Sequence, residues 1–455
     1  MGKKKKKEIN MLEGSLADKI ILFAFPLALT GMLQQLFNAA DIAVIGQFCG
    51  TDSMAAVGCN SPVIGLLVNL FVGIALGANV VIARCTGQRR PDRANAAVHT
   101  SVLLALICGF GVMILGELIA VPFLQLLGVP AGIMGKAALY LRIYLLGLPV
   151  MLLYNFEAAI FRSQGDTRTP LICLIVSGVS NVCLNLFFVL VIHMDVAGVA
   201  TATVLANCIS SALLFHFLRV HPGPIRLRPG RFHMDKILLR DIIRIGLPAG
   251  LQGAVFSISN LVIQSAINSL GADIIAASAA AFNVEILAYF LVNSFGQAAT
   301  TFIGQNYGAG NIPRCYRVAR VALLLNILIS QSFSLTLIFF ASPLLHIFNG
   351  SAVVIEYGTI RMKYILYGEF INCVIETLSG AMRGYGASLA PALTALIGIC
   401  GIRIAWCYTV FRADPTYQTL VLVYPVSWAV TAAAISIIYL LYRKKILTPQ
   451  ISPAR

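Results

Sequence analysis

The sequence predicts an all-α integral membrane protein with twelve transmembrane helices arranged in two pseudo-symmetric six-helix lobes. Of its 455 residues, 58% are hydrophobic and 11% are charged, so the chain has more apolar surface than a soluble core can bury. Twelve apolar segments are each long enough to cross a hydrocarbon core of about 30 Å. The two halves of the chain also repeat each other in sequence.

The first apolar segment, residues 20–47, has Asp41 as its one formally charged side chain. Gln34, Asn38 and Asp41 stand at i, i+4 and i+7, so a helix places them on one face. An ionised aspartate within a membrane helix costs about 2.5–3.5 kcal/mol. We therefore expect this face to line a cavity or meet a partner. The alternative is that Asp41 lies near the helix end and reaches the headgroups.

The remaining spans follow from the same hydropathy argument. The twelve predicted segments are 20–53, 53–83, 96–121, 137–160, 169–193, 196–219, 238–268, 274–303, 317–341, 357–380, 389–412 and 418–441. If the N-terminus is cytoplasmic, the cytoplasmic loops and tails hold 27 of the 33 Lys and Arg, as the positive-inside rule requires. This predicts a multi-pass protein of the cell (plasma or inner) membrane with both termini in the cytoplasm. The predicted domains are a basic tail 1–19, an N-lobe 20–219, a linker 220–237, a C-lobe 238–441 and a tail 442–455.

The repeat pairs residues across the two halves at nearly constant spacing. A shift of 221 pairs Asp52 with Asp273, Gly87 with Gly308, Arg162 with Arg383 and Pro170 with Pro391, and a shift of 222 pairs Pro26 with Pro248 and Asn38 with Asn260. Because each half has an even number of spans, both halves keep one orientation and are related by an axis along the membrane normal. Transporter folds use such repeats and bind substrate near the midplane between them.

Several classes of function are excluded by what the sequence lacks. All loops between spans are short, the six histidines are far apart, and no HExxH, GxSxG or Walker-type motif occurs, so we expect a protein that is not an enzyme. The eleven cysteines form no CxxC pair and imply neither a disulfide framework nor a zinc site. The net charge of +15 is interpreted as a topology signal, so the expected partners are the bilayer and small molecules, with no nucleic acid.

Several stretches together resemble the multidrug and toxic compound extrusion (MATE) transporters. They are FPLALTGMLQQLFNAADIAVIG, GANVVIARCTGQRRPDRA, YLRIYLLGLPVMLLYNFEAAIFRSQGDTRTP, FIGQNYGAGN and SGAMRGYGASLAP. The resemblance implies twelve spans, two lobes around a V-shaped cavity, and drug export driven by proton or sodium entry. We expect a monomeric antiporter that exports lipophilic, often cationic, compounds in exchange for protons by alternating access between the lobes. The alternatives are a lipid-linked saccharide flippase, a sodium-coupled antiporter, or a membrane scaffold that transports nothing.

The resemblance also implies an ion-coupling site in the N-lobe. Matching by motif places its carboxylate at Asp41, its fifth-span partners at Asn181 and Asn185, and its sixth-span hydroxyl at Thr203, with Thr201 as the second register. Asn185 stands where the acidic form of the pattern has a second carboxylate, which favours H+ over Na+ as the coupling ion and leaves Na+ open. Beyond that ion no cofactor or metal is expected. The alternative for the two asparagines is that they only bind helices together.

Other intramembrane polar groups are candidates for a substrate cavity. The predicted cavity residues are Gln34, Asn38, Asn260, Gln264, Glu285 and Glu376. Arg403 is expected to pair with one of the C-lobe acids, which are Glu285, Glu369 and Glu376. Glu157 is expected to pair with Arg162.

Overall fold

The computed structural model describes residues 8–228, 230 and 232–451, with side chains up to residue 445 in the last helix. The lysine run 3–7 of the predicted N-terminal tail and the last four residues of the predicted C-terminal tail lie outside the described residues. Within the described part, the chain is helical and contains no β-strand.

The helices of the first half follow the predicted spans closely. They are α1 Ala17–Phe48, α2 Thr51–Gly87, α3 Pro91–Leu126, α4 Ala131–Ser163, α5 Arg168–Leu186 and α6 Val196–Val220. A π-helical turn, Phe187–Val191, continues α5.

The second half is more broken than the first. Its helices are α7 Lys236–Asn268, α8 Ala272–Gly308, α9 Ile312–Phe339, α10 Ala341–His346, α11 Ala352–Tyr367, α12 Glu369–Gly384, α13 Leu389–Ala395, α14 Ile402–Tyr408, α15 Val410–Ala413 and α16 Tyr417–Ile451. A π-helical turn, Leu396–Gly401, joins α13 to α14.

The described residues contain eleven helices long and apolar enough to cross a membrane. The predicted segment 357–380 contributes none of these eleven, because the chain breaks at Gly368 into α11 and α12 of 16 residues each. The predicted segment 389–412 does count as one span, although it consists of α13, the π-helical turn, α14 and α15. With that two-piece segment the twelve predicted spans are all helical. The prediction of an all-α membrane protein is therefore confirmed.

The chain forms two compact units whose boundaries differ from the predicted lobes. The first unit comprises the residues up to Asn10 together with Leu29–Gly250. The second unit comprises Met11–Ala28 and the chain from Leu251 onwards. The start of α1 therefore belongs to the second unit and the start of α7 to the first, whereas the sequence placed each helix wholly in one lobe.

Glycines explain why the start of α7 belongs to the first unit. Gly73 and Gly77 on α2 face Gly246 and Gly250 on α7, and each pair is spaced as in the GxxxG packing motif of membrane helices. A Cβ atom on Gly73 would lie 2.2 Å from the backbone nitrogen of Gly250. Because these glycines have no side chains, the backbones of α2 and α7 lie so close together that a larger residue would not fit at the crossing.

The second unit has a comparable glycine contact and holds the start of α1. A Cβ on Gly380 of α12 would lie 2.2 Å from the carbonyl oxygen of Gly296 on α8. Phe23 of α1 packs edge-on against Phe302 of α8, with ring centroids 5.7 Å apart. Just before α1, the carbonyl oxygen of Met11 accepts hydrogen bonds from Asn306 and Arg314, so this segment is fixed to the same unit.

The described residues of the predicted linker 220–237 pack along α3 in the first unit. The Asn95 side chain donates hydrogen bonds to the carbonyl oxygens of Pro224 and Arg226, at 3.0 and 2.7 Å. The backbone nitrogen of Asp235 donates to the Thr100 hydroxyl. Gly230 within this segment is exposed.

Candidate functional site

Asp41 lies in the first unit within a set of neutral polar side chains. Its side chain is 8% exposed. Asn185 of α5 donates from Nδ2 to Asp41 Oδ1 at 2.5 Å, and Thr203 of α6 donates from Oγ1 to Asp41 Oδ2 at 3.2 Å. Each carboxylate oxygen thus has a hydrogen-bond donor from a different helix.

Asn181 completes this group one helical turn before Asn185. Asn185 Nδ2 also lies 3.4 Å from Asn181 Oδ1, and Asn181 Nδ2 lies 3.5 Å from the Thr203 hydroxyl oxygen. Thr201, the second register, instead donates to the carbonyl oxygen of Ala197 in its own helix. The structure therefore brings together the four residues proposed from sequence and selects Thr203 over Thr201.

The close approach of α1 and α5 depends on a missing side chain. A Cβ on Gly178 would overlap the ring of Phe37, so the ring occupies the space that any other residue at 178 would fill. Phe37 lies one turn before Asp41, and Gly178 lies one turn before Asn181. Two residues after Asn185 the helix passes into the π-helical turn Phe187–Val191, a feature that is frequent at functional sites.

The charge of Asp41 is not balanced by a cation in the described part of the chain. The ion pairs found there involve other acids, which are Asp195, Glu117, Glu8 and Glu285. On α4, Tyr140 and Tyr144 interact electrostatically with Asp41 and stack with ring centroids 6.4 Å apart. Asn185 is fully buried, and its Oδ1 atom accepts no hydrogen bond. A second buried acceptor is thus available beside the carboxylate.

The two cavity residues predicted on α1 lie close to this site in sequence but differ in exposure. Asn38 lies one turn before Asp41 and Gln34 lies two turns before it. Both are exposed, whereas Asp41 is buried. The predicted polar face therefore runs from exposed amides to a buried acid.

The other four predicted cavity residues belong to the second unit and have different surroundings. On α7, Asn260 accepts from Arg403 Nη1 at 3.4 Å, and Gln264 donates to Asn268 at 2.9 Å; both Asn260 and Gln264 are exposed. On α12, Glu376 is buried and interacts electrostatically with Arg383. The six predicted cavity residues are therefore divided between the two units, two in the first and four in the second.

Glu285 is held by an arginine that the sequence interpretation passed over. Arg361 Nε lies 3.1 and 3.2 Å from the two Glu285 carboxylate oxygens, and Arg361 Nη2 lies 3.1 Å from Oε2. The pair is buried, with Arg361 5% and Glu285 7% exposed. The available signal was the position of Arg361 inside a predicted span, because an intramembrane arginine needs a counter-charge or polar partners.

Two expected ion pairs are wrong. Arg403 contacts no glutamate in the described residues; its hydrogen bonds go to Ser427 and Asn260. Glu157 does not pair with Arg162 and instead accepts a hydrogen bond from Ser211 at 2.8 Å. Arg403 faces residues of two other helices, which sequence spacing does not reveal. Glu157 and Arg162 both belong to α4 and are five residues apart, a spacing that places them on different faces of the helix.

Comparison with known proteins gives consistent matches over most of the chain. The family model described as MatE matches residues 26–187 and 248–409. The chain is 27% identical over 395 residues to the probable multidrug resistance protein YoeA of Bacillus subtilis, covering 84% of each chain. It is 27% identical over 394 residues to the probable multidrug resistance protein NorM of Thermotoga maritima, covering 85% of this chain and 84% of that protein.

The fold is shared with solved structures. The outward-facing conformation of a multidrug resistance MATE family transporter of the MOP superfamily aligns with a TM-score of 0.91 at 21% identity. The alignment covers 98% of this chain and all of that one. At this identity the likeness shows the fold alone.

Proposed function

This chain belongs to the MatE family, and from that premise we propose that it is a secondary active antiporter that exports lipophilic, often cationic, drug-like compounds in exchange for protons. Family membership assigns the chain to multi-pass membrane transporters and not to enzymes. Its relatives named as multidrug resistance proteins support drug export as the activity.

The observation that carries proton coupling is the single buried carboxylate of Asp41 among neutral partners. When Asp41 is ionised, the Asn185 amide and the Thr203 hydroxyl stabilise it as donors. When Asp41 is protonated it becomes a donor, and a flip of the Asn185 amide presents the unpaired Oδ1 as its acceptor. The same side chains thus serve both protonation states.

Sodium is less well matched by this arrangement. A sodium ion exchanges its water shell for several protein oxygens, whereas the groups pointing at the Asp41 carboxylate are an N–H and an O–H. Asn185 also supplies no second negative charge. A proton needs only Asp41, and its entry removes the charge that attracts a cationic compound, which favours the state that releases it.

The test is transport into or out of reconstituted vesicles, using cationic dyes with separately imposed proton and sodium gradients. Asp41→Asn preserves the shape of the side chain and deletes the titratable group, so coupled export is expected to be lost while the fold is kept. Glu376→Gln, the same type of change in the second unit, is the comparison and is expected to have a milder effect. Normal dye export by Asp41→Asn at normal expression contradicts the role of Asp41.

The choice of ion has its own variant. Asn185→Asp adds the carboxylate that a sodium site gains from, so it is expected to increase sodium dependence without being required for activity. Proton coupling is overturned if the unmodified protein exports dye with a sodium gradient alone and stops when sodium is withdrawn, even though the pH gradient is intact. Sodium would then be the coupling ion.

We also propose that both termini and the linker are cytoplasmic, because the Lys and Arg bias places them there. Gly230 is exposed, so a cysteine at that position in a background without the eleven native cysteines is accessible to a membrane-impermeant maleimide. Labelling is expected in inverted vesicles and not in intact cells. Labelling in intact cells and not in inverted vesicles would show the opposite orientation.

A further inference from the structure

The second unit contains a buried arginine that has no carboxylate partner among the described residues. Arg403 of α14 is 2% exposed. Its hydrogen bonds to Ser427 Oγ and Asn260 Oδ1 are both 3.4 Å long, which is beyond the usual N–H···O range. In the part of the chain that the structure describes, its other partners are the faces of the Tyr424 and Phe256 rings, which are also neutral. A buried guanidinium with only neutral partners is costly unless an anion compensates its charge.

The neighbourhood of Arg403 contains aromatic rings and a second arginine. Its guanidinium carbon lies 4.4 Å from the ring centroid of Tyr424, and the guanidinium carbon of Arg361 lies 5.5 Å from the same centroid. Glu285 neutralises Arg361 through three hydrogen-bond contacts. The positive charge of Arg361 repels that of Arg403. Two arginines and one glutamate leave one uncompensated positive charge.

The repeat places this cluster where the first unit has its acidic site. Asp41, Asn181 and Thr203 come from α1, α5 and α6, and the corresponding spans of the second half supply Asn260, Arg403 and Tyr424. The two MatE matches end at residues 187 and 409, a shift of 222 that pairs Asn181 with Arg403. The same shift pairs Asn38 with Asn260, and a shift of 221 pairs Thr203 with Tyr424. Both spans contain a π-helical turn, but at different positions: Phe187–Val191 follows Asn181, whereas Leu396–Gly401 precedes Arg403.

We propose that Arg403 binds the carboxylate or phosphate oxyanion of an aromatic compound, so that the second unit adds zwitterionic and anionic compounds to the cationic ones of the proposed function. Asn260 is exposed and lies beside Arg403 Nη1, so an oxyanion arriving on that side replaces the Asn260 oxygen as acceptor. The rings of Phe256 and Tyr424, both of which lie against the Arg403 guanidinium, supply contacts for the aromatic part. The bound anion is a transport substrate only if the proposed function is correct, so this inference rests on that function. The test, however, measures binding and not transport.

The chain offers an internal reporter for this binding. Its two tryptophans, Trp406 and Trp428, both belong to the hydrophobic cluster around this site. Trp406 lies one turn after Arg403, and the ring of Trp428 lies 6.1 Å from that of Tyr424. Tryptophan emission of the full-length protein in detergent therefore reports on this region and on no other.

In the experiment, the purified protein is titrated with two aromatic anions, benzoate and phenyl phosphate. Benzamide, which is neutral, and benzylammonium, which is cationic, carry the same phenyl ring and serve as comparison compounds. Excitation at the red edge of tryptophan absorption avoids absorption by the probes. Both anions are expected to bind about tenfold or more tightly than benzamide and benzylammonium, because a charge-assisted hydrogen bond is stronger than a neutral one. Inorganic phosphate is expected to bind more weakly than phenyl phosphate; equal binding contradicts the aromatic part of the proposal.

Variants decide whether Arg403 is responsible. Arg403→Gln is expected to weaken benzoate binding about tenfold or more, and Arg403→Lys to give an intermediate loss because the charge remains without the planar fork. Should Arg403→Gln fail to fold, Asn260→Asp at an exposed position places a carboxylate on the arginine and is expected to suppress anion binding. Asn283→Asp, an equal charge change at another exposed position of the second unit, is the control and is expected to bind normally.

Two results overturn the proposal. One is benzoate binding that Arg403→Gln and Asn260→Asp leave unchanged, and the other is equal affinity for benzoate, benzamide and benzylammonium. Failure of proton-coupled export leaves these titrations unaffected, so a wrong coupling mechanism and a wrong anion site give different results.

Discussion

Removing one member of the Arg361–Glu285 pair is expected to destabilise the second unit strongly, whereas replacing both members is not. The pair is buried, and Arg361 donates three contacts of 3.1–3.2 Å to the carboxylate. Arg361→Gln leaves the buried Glu285 without its counter-charge, and Glu285→Gln does the same to Arg361. The double variant removes both charges and leaves two amides that can hydrogen-bond with each other.

The expected magnitude follows from the burial of both charges. Breaking a buried pair by deleting one partner costs about 3–5 kcal/mol of unfolding free energy, whereas replacing both partners is often close to neutral. We therefore expect each single change to cost about 3–5 kcal/mol and the double change to cost less than either. In an exposed pair each change would cost about 1 kcal/mol or less.

The assay is equilibrium unfolding of the purified protein in mixed micelles, arranged as a double-mutant cycle. Arg142→Gln, which removes a half-exposed arginine 3.8 Å from Glu117, is the matched control and is expected to change stability little. A double variant that loses the sum of the two single losses would show that the two side chains act independently. That outcome would refute the claim that Arg361 and Glu285 stabilise the protein by compensating each other's charge.

Two further predictions concern packing and pH. Gly73→Ala is expected to cost about 1–3 kcal/mol of unfolding free energy by overpacking the α2–α7 crossing, because its Cβ would lie 2.2 Å from the Gly250 nitrogen. The control is Gly65→Ala on the same helix, where the added Cβ meets open space. An equal loss of stability in Gly65→Ala would contradict overpacking as the cause. Partial burial of Asp195 tends to raise its pKa, but hydrogen bonds from Lys136 and Ser53 and the Lys136 charge lower it, and the net pKa lies below the ordinary value. Asp195 therefore adds stability above the ordinary aspartate pKa of about 4 that is lost as the pH falls through the lowered value. Thermal unfolding of Asp195→Asn is expected to show a small loss near neutral pH that vanishes in acid, and a loss that grows in acid would reverse the sign.

The sequence by itself determined the membrane class, the helical segments and the repeat. A segment of about 20 apolar residues has few alternatives to a membrane helix, because hydrocarbon leaves no other partner for the backbone. Helical periodicity also fixes neighbours within one helix, as with Asn181 and Asn185. The grouping of Asp41 with Asn185 and Thr203 came from the family resemblance, and the structure brings the same side chains within hydrogen-bond distance.

Only the tertiary structure decided which groups meet across helices in the second unit. From the sequence, Glu285 was one of three acids expected as the partner of Arg403. The packing of α8 against α11 instead gives Glu285 to Arg361 and leaves Arg403 with Asn260 and Ser427. The exchange of the starts of α1 and α7 between the units depends on contacts such as Gly73 with Gly250. Hydropathy and helical periodicity describe one helix at a time. The contacts between residues of different helices depend on the crossing angles and rotations of the helices, which are set by the packing of all helices together.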